Sequence, residues 1–183
     1  PRLPEGADDL IQRMSEQELT QLFRQYGELS QAHRAARALR KAIDEEGAEG
    51  IASTGRLQTV LSPLAPPQKR NQYLAQAFQA LRIAVNDELG ALSDLLKSSL
   101  QLLKPDGRLV VISYHSLEDR MVKRFMRAGN MEGEIAKDFH GRSLAPFDKV
   151  TGKAIVADAE EMERNPRSRS ARMRIAARNT LAA

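Results

Sequence analysis

Between Ser15 and Leu61 the apolar residues fall into three short runs at helical spacing. Ser15 and Glu18 form a capping box, and Leu19, Leu22, Phe23 and Tyr26 follow at i, i+3, i+4 and i+7. Gly27 can stop that helix. Ser30 can cap a second one, in which Ala32, Ala35, Ala36, Leu39 and Ile43 share a face until Gly47. Thr54 opens a third, carrying Leu57, Val60 and Leu61, before Pro63, Pro66 and Pro67 break the chain. Ahead of them, Pro1 to Asp9 reads as an extended lead-in. The pattern predicts a small all-α helical domain over residues 1–65 and a second domain over residues 66–183.

The second domain opens with a long apolar stripe from Leu74 through Phe78, Leu81, Val85, Leu89, Leu92, Leu96 and Leu100 to Leu103. Its mean spacing, 29/8 or about 3.6, is the helical period. Gly90 predicts a kink, or two helices meeting, between Asn86 and Gly90. The pattern then switches. Leu109 to Ile112 is an unbroken, mostly β-branched run, which suits a strand buried on both faces of a parallel sheet. Pro105-Asp106-Gly107 supplies the turn before it. Ser113, Tyr114, His115 and Ser116 follow it, and Leu117, Met121 and Phe125 continue at helical spacing. Ser116 with Asp119 resembles a capping box for that helix. A strand that ends in polar residues and turns directly into a helix is where open α/β sheets hold ligands.

Gly129 to Pro146 has no clear period and reads as a long surface loop, of a kind that is usually functional or mobile. A short strand is expected around Ala154 to Val156, and a brief helix between Asp158 and Asn165. Ala171, Met173, Ile175 and Ala177 alternate with Arg172, Arg174, Ala176 and Arg178, the pattern of a strand with one apolar face.

Charge changes this picture more than composition does. The formal net charge is +4, yet residues 164–183 hold six arginines and no acid, leaving 22 basic against 24 acidic residues elsewhere. The positive charge is therefore concentrated at one end, as phosphate contact requires. Asn165, Arg167 and Arg169, in the loop before the last strand, are the favoured RNA contacts. With 4% aromatic residues, a sheet of stacking rings for single-stranded RNA is not expected. The chain has no cysteine, and His33, His115 and His140 are too scattered for zinc, so no metal is expected. No membrane span is expected and a cytoplasmic location is allowed.

Four stretches carry a family resemblance: EQELTQLFRQYGE (16–28), FQALRIAVNDEL (78–89), KPDGRLVVISYHSLEDRMVKRF (104–125) and NPRSRSARMR (165–174). Together they resemble the bacterial RsmH (MraW) family, whose members methylate the exocyclic N4 of a cytidine in small-subunit ribosomal RNA with S-adenosylmethionine. The resemblance implies the C-terminal part of a Rossmann-like methyltransferase sheet, with the helical insertion on the substrate side. It implies that Ser113 and His115 are the catalytic candidates, with Tyr114 and Ser116 beside them as substrate contacts. His115 would hydrogen-bond the base or relay its proton. Asp119 and Arg120 read as helix-surface or ion-pair residues.

The family's N-terminal part, with the glycine-rich loop and acidic residues that grip S-adenosylmethionine, has no counterpart upstream of Leu74. The expectation is a fragment without cofactor-binding residues, inactive alone and able to self-associate through an uncovered sheet surface. The alternative is a non-enzymatic RNA-binding or ribosome-assembly module acting through its basic C-terminal segment.

Overall fold

The structure is a computed structural model that describes residues 6–179. The chain divides into two compact units, Pro1–Glu88 and Leu89–Ala183.

The first unit is all helical: α1 (Ala7–Arg13), α2 (Glu16–Gly27), α3 (Ala32–Glu46), α4 (Thr54–Leu61) and α5 (Arg70–Asn86). Helix α1 starts inside the expected extended lead-in, whose residues 1–5 lie outside the described ones. The capping box at α2 is formed as expected. Ser15 Oγ accepts the Glu18 N–H at 3.3 Å, and the Glu18 carboxylate accepts the Ser15 N–H at 2.8 Å. Ser15 thereby holds the Glu18 carboxyl below its ordinary pKa.

Small residues let these helices approach closely. Ala32, Ala35, Ala36 and Ala42 of α3 are buried with Leu39. A Cβ on Gly27 would stand 2.9 Å from the Gln76 carbonyl of α5, so only glycine fits where α2 meets α5. Tyr73, Leu74, Ala77, Ala80 and Leu81 of α5 are buried in the same core. The first compact unit runs on to Glu88, past the boundary expected near residue 65, because the buried face of α5 completes the helical core.

The interruption expected between Asn86 and Gly90 is a true break. Asp87, not Gly90, makes it, by taking a left-handed conformation (φ 47°).

The second unit contains α6 (Glu88–Leu102, all but its first residue), β1 (Arg108–Ser113), α7 (Ser116–Ala128), β2 (Phe147–Lys149), β3 (Ile155–Val156), α8 (Ala159–Arg164) and β4 (Arg172–Arg178). The sheet order is β1-β4-β2, with β3 also on β4, and every one of these pairings is antiparallel. The class is thus a mostly helical α/β fold with a small antiparallel sheet.

This corrects the expectation for β1. Among the described residues it pairs with β4 alone, and only one of its faces is covered. Leu109 and Val111 pack with Leu96 of α6 and with Val122, Phe125 and Met126 of α7. Val110 and Ile112, on the opposite face, are 51% and 54% exposed. The unbroken apolar run reflects two apolar faces, of which one is left bare.

Beta4 reverses a second expectation. The register pairs Val111 with Arg174 and Leu109 with Ala176, which puts the arginine-bearing face of β4 under α7. Met173 and Ile175 pair with Ile112 and Val110 on the uncovered face. The side that reads as polar is the inner one.

Candidate nucleic-acid interface

Helix α7 begins at the end of β1, and its cap determines where the neighbouring polar side chains go. His115 is the N-cap: its Nδ1 accepts the Glu118 N–H at 3.4 Å. Glu118 closes back over this turn, its Oε2 accepting the Tyr114 N–H at 3.0 Å. The expected Ser116–Asp119 capping box is not formed. The carboxylate of Asp119 turns instead to β4, where Arg174 donates Nε–H and Nη2–H to its two oxygens at 2.7 and 3.0 Å. Arg172 Nη1 stands 3.7 Å from the same carboxylate. A guanidinium fork reaching both oxygens competes better for the carboxylate than a single backbone N–H, because both partners are charged and the contact is bidentate.

Asp119 is buried, and its carboxyl lies below its ordinary pKa. The Arg174 hydrogen bonds are the main cause, with the charges of Arg174, Arg172 and Lys123 adding to them and overcoming the cost of burial. Burial of a charge is tolerable only with such partners.

Above this pair lies an open cavity of about 600 Å³. Its walls come from the start of α7 (Tyr114, His115, Ser116, Arg120, Lys123), from Val156 of β3, and from the turn leading into β4. That turn, Pro166–Ser170, is one stretch of 3-10 helix with Ser168 buried, which leaves Arg169 exposed at the cavity wall. Five cations (Arg120, Lys123, Arg169, Arg172 and Arg174) meet one carboxylate, Asp119, so the lining is strongly positive.

The cavity brings together Tyr114, His115, Ser116 and Arg169 of the residues singled out from sequence, and leaves out the others. Ser113 is buried, its hydroxyl donating to the Arg172 carbonyl at 3.4 Å. That hydroxyl is a strand-to-strand tie. Asn165 caps the end of α8, where its Nδ2 donates to Glu161 Oε1 at 3.4 Å. Arg167 belongs to the same turn as Arg169 but is not part of the cavity lining.

The imidazole of His115 is nearly buried. With Nδ1 accepting a backbone N–H, the neutral ring carries its proton on Nε2. Nε2 lies 3.3 Å from Glu118 Oε1 without hydrogen-bond alignment, and it has no other partner among the described residues.

Sequence reasoning missed Arg120, Lys123, Arg172 and Arg174 as cavity residues. Their signal is present: Ser116, Asp119, Arg120 and Lys123 sit at i, i+3, i+4 and i+7 on one helical face, and Arg172 and Arg174 alternate along one strand face.

Residues 2–179 match the family described as the MraW methylase family. A protein of Amoebophilus asiaticus named ribosomal RNA small subunit methyltransferase H is 54% identical over 175 residues, which is 96% of this chain and 56% of that relative. Proteins of the same name from Cytophaga hutchinsonii and Parabacteroides distasonis are 51% and 47% identical. They align over 94% and 96% of this chain, in each case 56% of the relative. The chain spans about half the length of the curated relatives it matches.

Proposed function

The chain belongs to the MraW methylase family, and from that premise we propose that it is the RNA-contacting part of an S-adenosylmethionine-dependent methyltransferase. The substrate would be the exocyclic N4 of a cytidine in small-subunit ribosomal RNA. The observation that carries this reading is the arginine-lined cavity at the start of α7, where five cations surround one committed carboxylate. Such a lining suits phosphodiesters, and a volume of about 600 Å³ has room for an unstacked nucleotide. The names of the relatives, ribosomal RNA small subunit methyltransferase H, support the same substrate.

The cavity does not fit the cofactor. S-adenosylmethionine supplies an electrophilic methyl on a cationic sulfonium, which a cation-rich lining repels. The lining's one carboxylate, Asp119, is already bound by Arg174. No step of methyl transfer is assigned through the cofactor in this cavity. The proposal for these residues is to bind and orient the RNA. Arg169, Arg172 and Lys123 contact phosphates. Tyr114, exposed at the rim, offers a ring to the base. His115, its Nε2 buried beside Glu118 and its Nδ1 capping α7, positions the turn that carries Tyr114. The small antiparallel sheet is then the terminal part of a larger Rossmann-like sheet that continues beyond the open edge of β1.

A non-enzymatic RNA-binding role has the same cavity behind it and differs only in needing no cofactor. Titration separates the components. The chain should bind a single-stranded small-subunit ribosomal RNA segment containing cytidine, and should show no micromolar heat of binding with S-adenosylmethionine. Absence of RNA binding would overturn the reading. Micromolar cofactor binding would overturn the assignment of the cavity to RNA alone.

A further inference from the structure

The segment between α7 and β2 is more ordered than its sequence suggests. Gly129 ends α7 in a left-handed conformation (φ 79°), where a Cβ would strike Pro146 at 2.6 Å. Asn130 then pins the start of the segment: its Oδ1 accepts the N–H groups of Gly133 and Glu134 at 2.7 and 3.1 Å. Arg127 donates to the Gly133 carbonyl. Further on, Lys137 pairs with Ser143 in an antiparallel bridge, and the Leu144 N–H donates to the Ala136 carbonyl at 2.8 Å.

The tip of this small hairpin is held by Asp138. Its Oδ1 accepts the N–H groups of His140 and Arg142, both at 2.8 Å, and its own N–H donates to the Arg142 carbonyl at 2.9 Å. Gly141 supplies the left-handed residue (φ 81°) that the turn needs. On this fixed turn stands Phe139, 99% exposed, with the His140 ring edge-on at 5.6 Å.

A fully exposed phenylalanine on a braced turn asks for an occupant, and the surrounding residues indicate which kind. The Lys137–Ser143 bridge places Ile135 and Lys137 on one face of the hairpin, and Arg142 and Leu144 on the other. The apolar side chains therefore do not merge into a patch that a protein groove would bury. Each face also carries one exposed cation within three residues of Phe139, Lys137 on one and Arg142 on the other. An aromatic face flanked by cations on both sides is complementary to a nucleobase attached to a phosphodiester chain.

We infer that the hairpin tip is a second RNA contact, in which Phe139 stacks on an unpaired base while Lys137 and Arg142 face the adjoining phosphates. This inference rests on the proposed RNA substrate, but it concerns a site separate from the arginine-lined cavity.

The test compares a single-stranded 12-nucleotide RNA with an abasic RNA of the same length, which keeps the phosphates and removes the rings. Phe139→Ala should weaken binding of the normal RNA by roughly ten-fold, in the range one stacked base contributes. It should leave the abasic RNA and the salt dependence unchanged. Phe139→Leu should fail to rescue, since apolar bulk without a ring does not stack. The chain contains no tryptophan, so Phe139→Trp introduces a single fluorophore. Its emission should be quenched by the normal RNA and not by the abasic one. Replacement of a side chain so exposed should not disturb folding, which circular dichroism checks. An equal effect of Phe139→Ala on both RNAs, or none on either, overturns the inference while leaving the cavity reading intact. Full rescue by Phe139→Leu would instead mark an apolar socket and overturn it too. A wild-type chain that binds neither RNA removes both proposals together.

Discussion

The two units of this chain are stabilised in different ways. Among the described residues, nineteen side chains of the helical unit form one buried cluster, all of them apolar or tyrosine, and the close helix approaches are made by alanine and glycine. In the second unit the buried cluster has six, and a carboxylate–arginine pair sits beside it where more hydrocarbon would be expected. One face of β1 is left bare as well. The first unit is closed on itself; the second keeps its charge and its open surface. The difference supports the proposal that the second unit is the one that meets RNA, because a buried ion pair is a poor route to stability but can hold charged groups in place.

The largest effect expected from this comparison is at Asp119. Replacing one partner of a buried pair strands the other, so Asp119→Ala should cost about 3–5 kcal/mol, read as loss of the second unit's unfolding transition in denaturant. The pair also sets a pH dependence. The folded carboxyl is held below its unfolded pKa, so its contribution is fully present above the ordinary carboxylate range. It is lost as the pH falls through the depressed folded value. Acid should therefore loosen the second unit through this group, and Asp119→Asn should be less acid-sensitive than the native chain. An unchanged acid midpoint in Asp119→Asn would contradict the assignment.

Next in size is Leu39, fully buried in α3. Leu39→Ala should destabilise the helical unit by about 3 kcal/mol through the cavity it leaves. The same denaturant curves should show the transition of the second unit unmoved. If both transitions shift together, the contrast between the units is mistaken.

A smaller effect is expected at the bare face. Val110 and Ile112 on an edge strand invite pairing with another copy. The chain should self-associate at high concentration by light scattering, and Ile112→Lys should return it to a monomer. A native chain that stays monomeric would show that this surface is tolerated without a partner.

Much of this arrangement was legible along the chain, and the exceptions share a cause. Helices α2, α3 and α4, the break after Asn86, and strands β1 and β4 all follow from local period and local punctuation, which the sequence displays directly. The face of β4 was not legible. Alternation tells which residues share a face, but not which face is covered, and Arg174 is inward only because Asp119 meets it from 55 positions away. The cap of α7 failed for the same reason. Ser116 and Asp119 have the right spacing for a box, but the carboxylate had a stronger, distant partner, and His115 took the cap. At the site, residue type marked Arg169 and Arg167 equally. Only the buried Ser168 between them, which sets the turn, separates the cavity residue from its neighbour.

That separation allows a direct test of whether the arginine-lined cavity of the second unit is an RNA-phosphate site. The observed binding constant for single-stranded RNA should be followed against salt for the native chain, for the double replacement Arg169→Ala and Arg172→Ala, and for Arg167→Ala. For single strands each phosphate contact adds roughly 0.7 to the slope of log K on log salt. The double replacement should therefore flatten the slope by about 1.4, on the same rule, with affinity lost equally across RNA sequences. Arg167→Ala should change it by less. An unchanged slope in the double replacement, or a loss confined to one RNA sequence, would show that the cavity does not bind RNA through phosphates.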